Sequence, residues 1–181
     1  SRHSQSICAV EPDGKPALDA SQRRILRSWP RFSDCRIMIV AHADQRINQL
    51  NKAGGFNHSN GIIILDWQDS LASLQVDLTH DHLNPLGLVH GGLYASMLDV
   101  ALAMSGSYRP APDGLYPGLT LSLTTQYIAP LQIEDGFALA KARRTGGGKS
   151  LFFAEGEVLS PDGRVIASAS GVFKPGRLLK G

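Results

Sequence analysis

The sequence predicts an α+β domain in which an antiparallel sheet of about six strands wraps around one central helix. The first observation is the order of the elements, because two strands, one helix and four further strands follow one another from Gly61 onward. The second is the helix itself, residues 90–106, which is apolar on almost every side. Such a helix has to be surrounded, and a single sheet surrounds it only by curling around it.

The chain has two parts of different character, residues 1–55 and 56–181. The first part is polar and mixed, with helix-like segments at 17–29 and 43–52. The second of these segments is followed by Gly54 and Gly55, which favour a helix end. We therefore predict an N-terminal helical extension, residues 1–55, ahead of one domain formed by residues 56–181.

Strand signals fill most of the second part. Residues 70–79 alternate in polarity, with one apolar face (Ala72, Leu74, Val76, Leu78) and one polar face (Ser73, Gln75, Asp77). Four more strands are predicted after the helix, at 119–128, 136–145, 150–160 and 164–174. Short turns, PLQIED, GGGK and PDG, are predicted to join them, and PDG at 161–163 is the strongest hairpin signal.

One carboxylate, Asp99, lies in the middle of the apolar helix. Burying a charge is costly unless another group pairs with it or uses it. At about 100° per residue, its neighbours on the helix surface are nearly all small: Gly92, Ala95, Ser96, Leu102, Ala103 and Gly106. Such a face suits the close approach of a ligand or of another backbone. The alternative is a structural aspartate held by Ser96 or by a backbone group.

Composition and charge exclude several classes of protein. The net charge is +2 with scattered basic residues, so nucleic acid is not indicated as a partner. Apolar runs such as IIIL at 62–65 are too short for a membrane span, and no secretory signal is recognised at the start. Cys8 and Cys35 have no metal-ligand spacing, and the HDH run at 80–82 lacks a third ligand. We predict a cytoplasmic protein with no metal and no cofactor.

Three segments together resemble one family. The run NPLGLVHGGLYASMLD at 84–99, the later PGLTLSLTTQYIAP at 117–130 and the GKS turn at 148–150 resemble the hotdog-fold acyl-CoA thioesterases of the phenylacetate-degradation type. The resemblance covers roughly residues 56–175. It implies a hotdog fold, an acyl-CoA substrate and a set of site residues: Asp99 as the catalytic carboxylate, the Gly91 N–H as oxyanion donor, Asn84 and His90 from the motif, and Thr120 as a hydroxyl residue.

The chemistry of thioester hydrolysis is compatible with these residues. Gly91 and Gly92 at a helix start let a substrate oxygen approach bare N–H groups, where the helix dipole adds positive charge. A plain tight turn into a helix is the alternative for this pair. Asp99 would activate a water as general base or attack the thioester directly, and the sequence does not choose between the two.

The other motif residues each keep two interpretations. His90 is interpreted as a positioning residue that hydrogen-bonds backbone near the loop, with a catalytic acid as the alternative. Asn84 orients the thioester or a water, or else it serves ordinary turn chemistry before proline. Thr120 is predicted on the strand face opposite Leu119, Leu121 and Leu123. There it would hold the attacking water or be an ordinary strand threonine.

Spacing along the helix predicts an oligomer. His90 and Asp99 are nine residues apart, an axial rise of roughly 13 Å. A carboxylate cannot reach a carbonyl held at the far end of its own helix. We therefore expect a homodimer with two equivalent composite sites about a two-fold axis, assembled further into a tetramer.

The remaining signals are weaker. Arg143, Arg144 and Lys149 form a basic turn that would meet the CoA phosphates or else be a solvated hairpin tip; its spacing and setting do not fit a nucleotide-binding P-loop. The aromatic residues Tyr94, Phe152 and Phe153 would line an acyl pocket or fill the core. Two alternatives to a thioesterase are a non-catalytic acyl-CoA-binding hotdog protein and, less favoured by the motif spacing, a hotdog hydratase or dehydratase.

Overall fold

The computed structural model of the chain describes residues 45–110, 116 and 118–176. By its internal contacts the chain divides after Val40 into two units, and every described residue belongs to the second. The helix predicted at 17–29 and the two cysteines, Cys8 and Cys35, lie outside the described residues.

The elements of this unit follow the predicted order of strand, strand, helix and four strands. In chain order they are α1 (Gln45–Lys52), α2 (Phe56–Ser59), β1 (Ile63–Gln68), β2 (Leu71–Asp77), a 3₁₀ turn (His80–His82), α3 (Gly91–Ser105), β3 (Leu119–Tyr127), a second 3₁₀ turn (Ile133–Asp135), β4 (Phe137–Gly147), β5 (Phe152–Leu159) and β6 (Val165–Lys174). The six strands form one antiparallel sheet in the order β1-β2-β4-β5-β6-β3.

The central helix α3 packs against the concave face of this sheet, which confirms the predicted α+β architecture. Small residues beneath the helix permit this close packing, since β4 presents Ala138, Ala140 and Ala142, each at most 2% exposed. Gly156 of β5 is required for the same reason. A Cβ on Gly156 would lie 2.6 Å from the Lys141 carbonyl oxygen of β4 and 2.7 Å from Leu102 Cδ1 of the helix, too close for any larger residue.

The sheet does not cover α3 on every side. Leu93, Met97, Leu98, Ala101 and Leu102 are buried, and they form the part of the helix that faces the core. Most of the small-residue face predicted around Asp99 is less covered: Gly92 is exposed, and Ala95, Ser96, Asp99 and Ala103 are half-buried. Leu102 and Gly106, which were predicted on the same face, are buried instead. The face predicted to suit a ligand or another backbone is thus the face that this sheet leaves accessible.

The connection between β3 and β4 differs from the prediction. The segment PLQIED was predicted as a short turn between consecutive strands, but β3 pairs with β6 and lies three strands away from β4. Leu131 anchors this crossover at the start of α3, where its carbonyl accepts a hydrogen bond from Val89 N (3.0 Å) and its N–H donates to the Tyr94 hydroxyl (3.1 Å). Tyr94 is buried, and burial raises the pKa of its phenol. The other two predicted turns, GGGK and PDG, do join paired strands.

A β-bulge in β3 corrects the predicted orientation of one leucine. The pairing with β6 shifts between Thr120 and Ser122, so that Thr120 lies opposite Phe173 and Leu123 lies opposite Gly171. Phe173 and Gly171 are two residues apart on β6 and therefore lie on the same face of the sheet. Leu123 therefore lies on the same face as Thr120, towards the helix, and not on the opposite face as simple alternation predicted.

The two edges of the sheet are treated differently. At β1, the Asn51 side chain of α1 accepts a hydrogen bond from Ile64 N (2.8 Å) and donates one to Ile64 O (2.9 Å), which occupies the backbone of that edge strand. At the β3 edge, four large apolar side chains are between 57% and 60% exposed: Leu119, Leu121, Tyr127 and Ile128. Exposed apolar edge strands are surfaces that proteins normally cover.

Helix α1 belongs structurally to the sheet that follows it. Ile47 of α1 packs with Ile64 and Trp67 of β1 and with Met104 of α3 in a second apolar cluster. Residues 45–52 were predicted to be part of the N-terminal extension. Their packing shows that this part of the extension helps to build the interior of the folded unit.

Candidate active site

The start of α3 is capped by a histidine. His90 is the N-cap residue, and its Nδ1 accepts a hydrogen bond from Gly92 N at 2.9 Å. The backbone N–H of His90 donates to the His82 carbonyl at 2.8 Å, which connects the cap to the preceding 3₁₀ turn. The Gly92 N–H is thereby used within the chain. Gly91, the first helical residue, has an N–H for which the helix itself offers no acceptor.

Both glycines of the pair lie close to a side chain. A Cβ on Gly92 would lie 2.8 Å from His90 Nδ1, so a larger residue would displace the cap. A Cβ on Gly91 would lie 3.0 Å from Cε1 of Tyr127 at the end of β3. Tyr127, which the sequence analysis did not single out, therefore lies directly beside the Gly91 backbone.

Asn84 organises the loop that leads into the helix. Its Oδ1 accepts hydrogen bonds from Leu86 N (2.9 Å) and Leu88 N (3.2 Å), while its backbone N–H donates to the Leu88 carbonyl (2.8 Å). This is the local turn chemistry that one of the two interpretations of Asn84 expected. A role for its side-chain amide toward a substrate stays a prediction.

Asp99 and Thr120 are brought together. The Thr120 hydroxyl donates a hydrogen bond to Asp99 Oδ1 at 2.6 Å, across 21 residues of sequence. Ser96, the other candidate partner, donates instead to the Gly92 carbonyl at 2.8 Å. No Lys, Arg or His among the described residues forms an ion pair with Asp99. Among the described residues, the carboxylate is therefore oriented by a neutral hydroxyl donor and not by a basic side chain.

A cavity of about 270 Å³ opens beside this pair. Asp99 and Thr120 are part of its wall, and most of its other described lining residues are apolar, among them Leu50, Ile64, Trp67, Val100 and Met104. Asp99 is the one charged side chain among those described lining residues. A single carboxylate beside an apolar chamber is an arrangement that suits a reaction on an apolar ligand.

Gly91 and Asp99 lie far apart along the same helix. Eight residues separate them, which corresponds to roughly 12 Å of axial rise. The half-buried carboxylate and the Gly91 N–H therefore cannot contact the same small group within one chain. This separation is a direct consequence of the continuous helix from Gly91 to Ser105.

Comparison with known proteins identifies the family. The thioesterase superfamily model matches residues 86–167. A relative from Pseudomonas aeruginosa, named "Putative esterase PA0474", is 32% identical over 108 residues, which are 59% of this chain and 78% of the relative. The chain belongs to the thioesterase superfamily. A thioesterase-type hydrolase function follows from this membership.

Solved structures of similar fold agree with this assignment. The conserved protein PA5202 from Pseudomonas aeruginosa superposes with a TM-score of 0.62 and 22% identity, over 74% of this chain and 99% of that one. A mutant of the phenylacetic acid degradation protein PaaI from Thermus thermophilus superposes with a TM-score of 0.58 and 25% identity, over 66% and 96% of the respective chains. The hotdog fold and the resemblance stated from the sequence are confirmed.

In this thioesterase-superfamily chain the three basic residues of the β4–β5 hairpin have different surroundings. Arg143 forms an ion pair with Glu155 on the neighbouring strand. Arg144 donates to the Gly146 carbonyl at 3.2 Å, and its guanidinium lies 5.8 Å from the Phe152 ring centroid. Lys149 is exposed at the hairpin tip. Contact of these residues with CoA phosphates stays a prediction.

The structure also locates the aromatic residues whose role was open. Tyr94 and Phe152 are buried in the main core, and Phe153 is 46% exposed, so none of the three is among the described residues that line the cavity. Trp67 lines it instead. No periodicity in the sequence marks Trp67, because the bulge in β1 between Ile64 and Asp66 breaks the alternation there.

Two further findings concern metal and membrane. Within residues 45–110, 116 and 118–176, no group of three or more His, Cys, Asp or Glu side chains is arranged to hold a metal ion, and the HDH run forms a 3₁₀ turn. Over the same residues no helix is long and apolar enough to cross a membrane.

Proposed function

We propose that this protein is an acyl-CoA thioesterase that hydrolyses its substrate to a free acid and CoA. The observation that carries the proposal is the Asp99 carboxylate, oriented by the Thr120 hydroxyl at the wall of an apolar cavity. Membership of the thioesterase superfamily supports the reaction class, and the cavity supports an apolar acyl group.

In the proposed reaction, Asp99 acts as general base or as nucleophile. As a base it takes a proton from a water whose oxygen attacks the thioester carbonyl carbon. The C–S bond then breaks, and the leaving thiolate of CoA takes up the proton from Asp99. As a nucleophile the carboxylate attacks the carbonyl carbon itself, the C–S bond breaks and the CoA thiolate leaves, and water then hydrolyses the mixed anhydride to the free acid and the regenerated Asp99 carboxylate. In both routes Thr120 holds the carboxylate in one orientation, and the Thr120 hydroxyl oxygen can still accept a hydrogen bond from water.

The Gly91 N–H is proposed as the oxyanion donor, and it comes from a second copy of the chain. At the first position of α3 this N–H lacks an intrahelical acceptor and carries the positive end of the helix dipole. The separation of roughly 12 Å from Asp99 supports a site that two chains share. We therefore propose a homodimer in which each site combines Asp99 and Thr120 of one subunit with the Gly91 of its partner.

The exposed β3 edge supports this assembly geometrically. If two copies pair their β3 strands antiparallel about a two-fold axis near Leu123, the centre of the strand, Thr120 comes opposite Gln126 of the partner. The next residue, the partner's Tyr127, lies beside the partner's Gly91, since Tyr127 contacts Gly91 within each chain. The same pairing would provide partners for the backbone N–H and C=O groups at the β3 edge. A tetramer would contain two such dimers.

The direct test is the release of free thiol from a panel of acyl-CoA thioesters, measured beside CoA binding by calorimetry. We expect release with at least one thioester. Tight CoA binding without release from any thioester would contradict hydrolysis and favour an acyl-CoA-binding protein. Addition of water to enoyl-CoA substrates, without thiol release, would favour a hydratase.

Subunit sharing is tested by mixing two inactive variants. Asp99→Asn lacks the carboxylate, and Gly91→Pro lacks the backbone N–H. A mixed dimer has one intact site and one doubly defective site, and random mixing makes half of all dimers mixed, so co-expression is expected to restore about a quarter of native activity. If one chain supplied both groups, the mixture would stay as inactive as each variant alone.

Removing the Thr120 hydroxyl is expected to lower kcat by about tenfold or more. A hydrogen bond to a charged group contributes on the order of 1.5–3 kcal/mol, and Thr120→Val removes it with little change in shape. Thr120→Ser keeps the donor and is the matched control, with activity expected close to native. Because Thr120 orients Asp99 rather than binding the substrate, kcat should fall more than KM rises. Equal activities of the valine and serine variants would contradict this role.

A further inference from the structure

One rigid side chain, Trp67, lines the apolar part of the cavity. Its indole Nε1 donates to the Met104 carbonyl at 2.9 Å near the end of α3. The edge of its ring meets the Tyr108 ring at 5.6 Å between centroids and an angle of 89°. The Arg46 guanidinium of α1 lies 4.9 Å from the centroid of the indole. Contacts on three sides hold Trp67, 5% exposed, in one position.

The order of residues along the cavity places Trp67 opposite the reacting end. Thr120 of β3 contacts Asp99, and Gly118 packs on Ala103, since a Cβ on Gly118 would lie 3.0 Å from the Ala103 carbonyl oxygen. The cavity therefore extends along α3 from Asp99 towards the C-terminal end of the helix, where Trp67 is hydrogen-bonded to Met104. The axial distance from Asp99 to Met104 is roughly 7.5 Å.

The volume fits a compact apolar group. A dry apolar cavity of about 150 Å³ binds benzene. The 270 Å³ found here accommodates a ring with a short side chain, or an alkyl chain of similar volume. Leu50 of α1 lines the chamber, so α1 also limits its width.

We infer that Trp67, which Arg46 holds in place, sets the upper size of the acyl group together with Leu50 of α1. These residues thereby select compact apolar acyl chains. This inference rests on the proposed thioesterase function for the direction from which the acyl group enters, namely from Asp99. It assigns acyl selection to α1 and β1, outside the motif that carries the reaction.

The experiment measures chain-length dependence in two independent ways. The first is kcat/KM for saturated acyl-CoAs from acetyl to palmitoyl. The second is calorimetric binding of S-alkyl-CoA thioethers of the same lengths, which have no carbonyl to hydrolyse. In the native protein both are expected to rise by about threefold to fourfold per buried methylene up to a break point, and then to level off or fall.

Two variants should move the break point in opposite directions. Trp67→Leu lengthens the chamber and is expected to shift the break point by two or more carbons towards longer chains. Leu50→Phe narrows it and is expected to shift the break point towards shorter chains. Phe153→Leu, an aromatic-to-leucine change at an exposed position of β5, is the matched control and should leave the profile unchanged. Should Trp67→Leu fail to fold, the half-exposed Leu50→Phe tests the inference alone.

The outcomes separate this inference from the proposed function. Thiol release whose chain-length profile is unaltered by Trp67→Leu and Leu50→Phe overturns the inference and leaves the thioesterase proposal intact. Thioether binding whose break point moves as expected, without hydrolysis of any thioester, supports the pocket and overturns the proposed reaction. Binding that is independent of alkyl length in the native protein overturns the pocket directly.

Discussion

Asp99→Asn is expected to lower the rate of thiol release from acyl-CoA by about 10²–10⁴-fold, the range typical for loss of a general base. The substitution is nearly isosteric, and the amide oxygen can still accept the hydrogen bond that the Thr120 hydroxyl donates at 2.6 Å. The amide can neither take a proton from water nor attack a carbonyl. Because no ion pair with a described residue is lost, the fold and CoA binding should be retained.

The matched control is Asp69→Asn in the turn between β1 and β2, which removes an exposed carboxylate outside the cavity. It should release thiol at the native rate, and circular dichroism should show both variants folded. Release that is unaffected by Asp99→Asn would mean that the base lies elsewhere. Mass spectrometry of the Asp99 peptide after turnover in H₂¹⁸O separates the two routes, since incorporation of ¹⁸O into Asp99 requires the anhydride.

Gly91→Pro is expected to lower kcat by about 10²–10³-fold, the usual effect of removing one oxyanion donor. Proline lacks the N–H but is well tolerated at the first position of a helix, which Gly91 occupies. The preceding residue must be extended before a proline, and His90 already is, with φ −65° and ψ 132°. The variant therefore deletes one hydrogen-bond donor with little demand on the backbone.

The control for this variant is Gly91→Ala, which keeps the N–H and adds the same Cβ beside Tyr127. Tyr127 is largely exposed and can move by the few tenths of an ångström that a Cβ at 3.0 Å requires. We expect the alanine variant to retain most of the activity that the proline variant loses. Equal losses would attribute the effect to crowding against Tyr127 and would remove the Gly91 N–H from the proposed mechanism.

Local patterns in the sequence were sufficient for the helix and for most of the strands. The apolar helix with one small-residue face, the alternation at 70–79 and the PDG turn are set by neighbouring residues, so they can be recognised without a structure. Asp99 could be singled out for the same reason, because one charge within an apolar helix is visible in the chain alone. The family motif at 84–99 added the assignment of Gly91.

Long-range pairing decided what the sequence left open. The predicted PLQIED turn is a crossover because β3 takes the outer position beside β6, and strand order depends on the whole sheet. The bulge near Leu121 turned Leu123 to the helix face, which alternation along β3 cannot reveal. The sequence also left open whether Tyr94, Phe152 and Phe153 line a pocket or fill the core. Tyr94 and Phe152 are buried in the core, and all three lie outside the described lining of the cavity.

By itself the sequence determined that one helix would lie inside an antiparallel sheet and that a carboxylate would lie on its small-residue face. Only the tertiary structure decided that the Thr120 hydroxyl donates to that carboxylate, that Trp67 and Leu50 of α1 line the adjoining cavity, and that the β3 edge remains exposed. The physical reason is the range of the interactions. Periodicity and turn chemistry act between neighbours in the chain, whereas a hydrogen bond across 21 residues and a cavity lined by α1, β1, α3 and β3 exist only after the strands have paired.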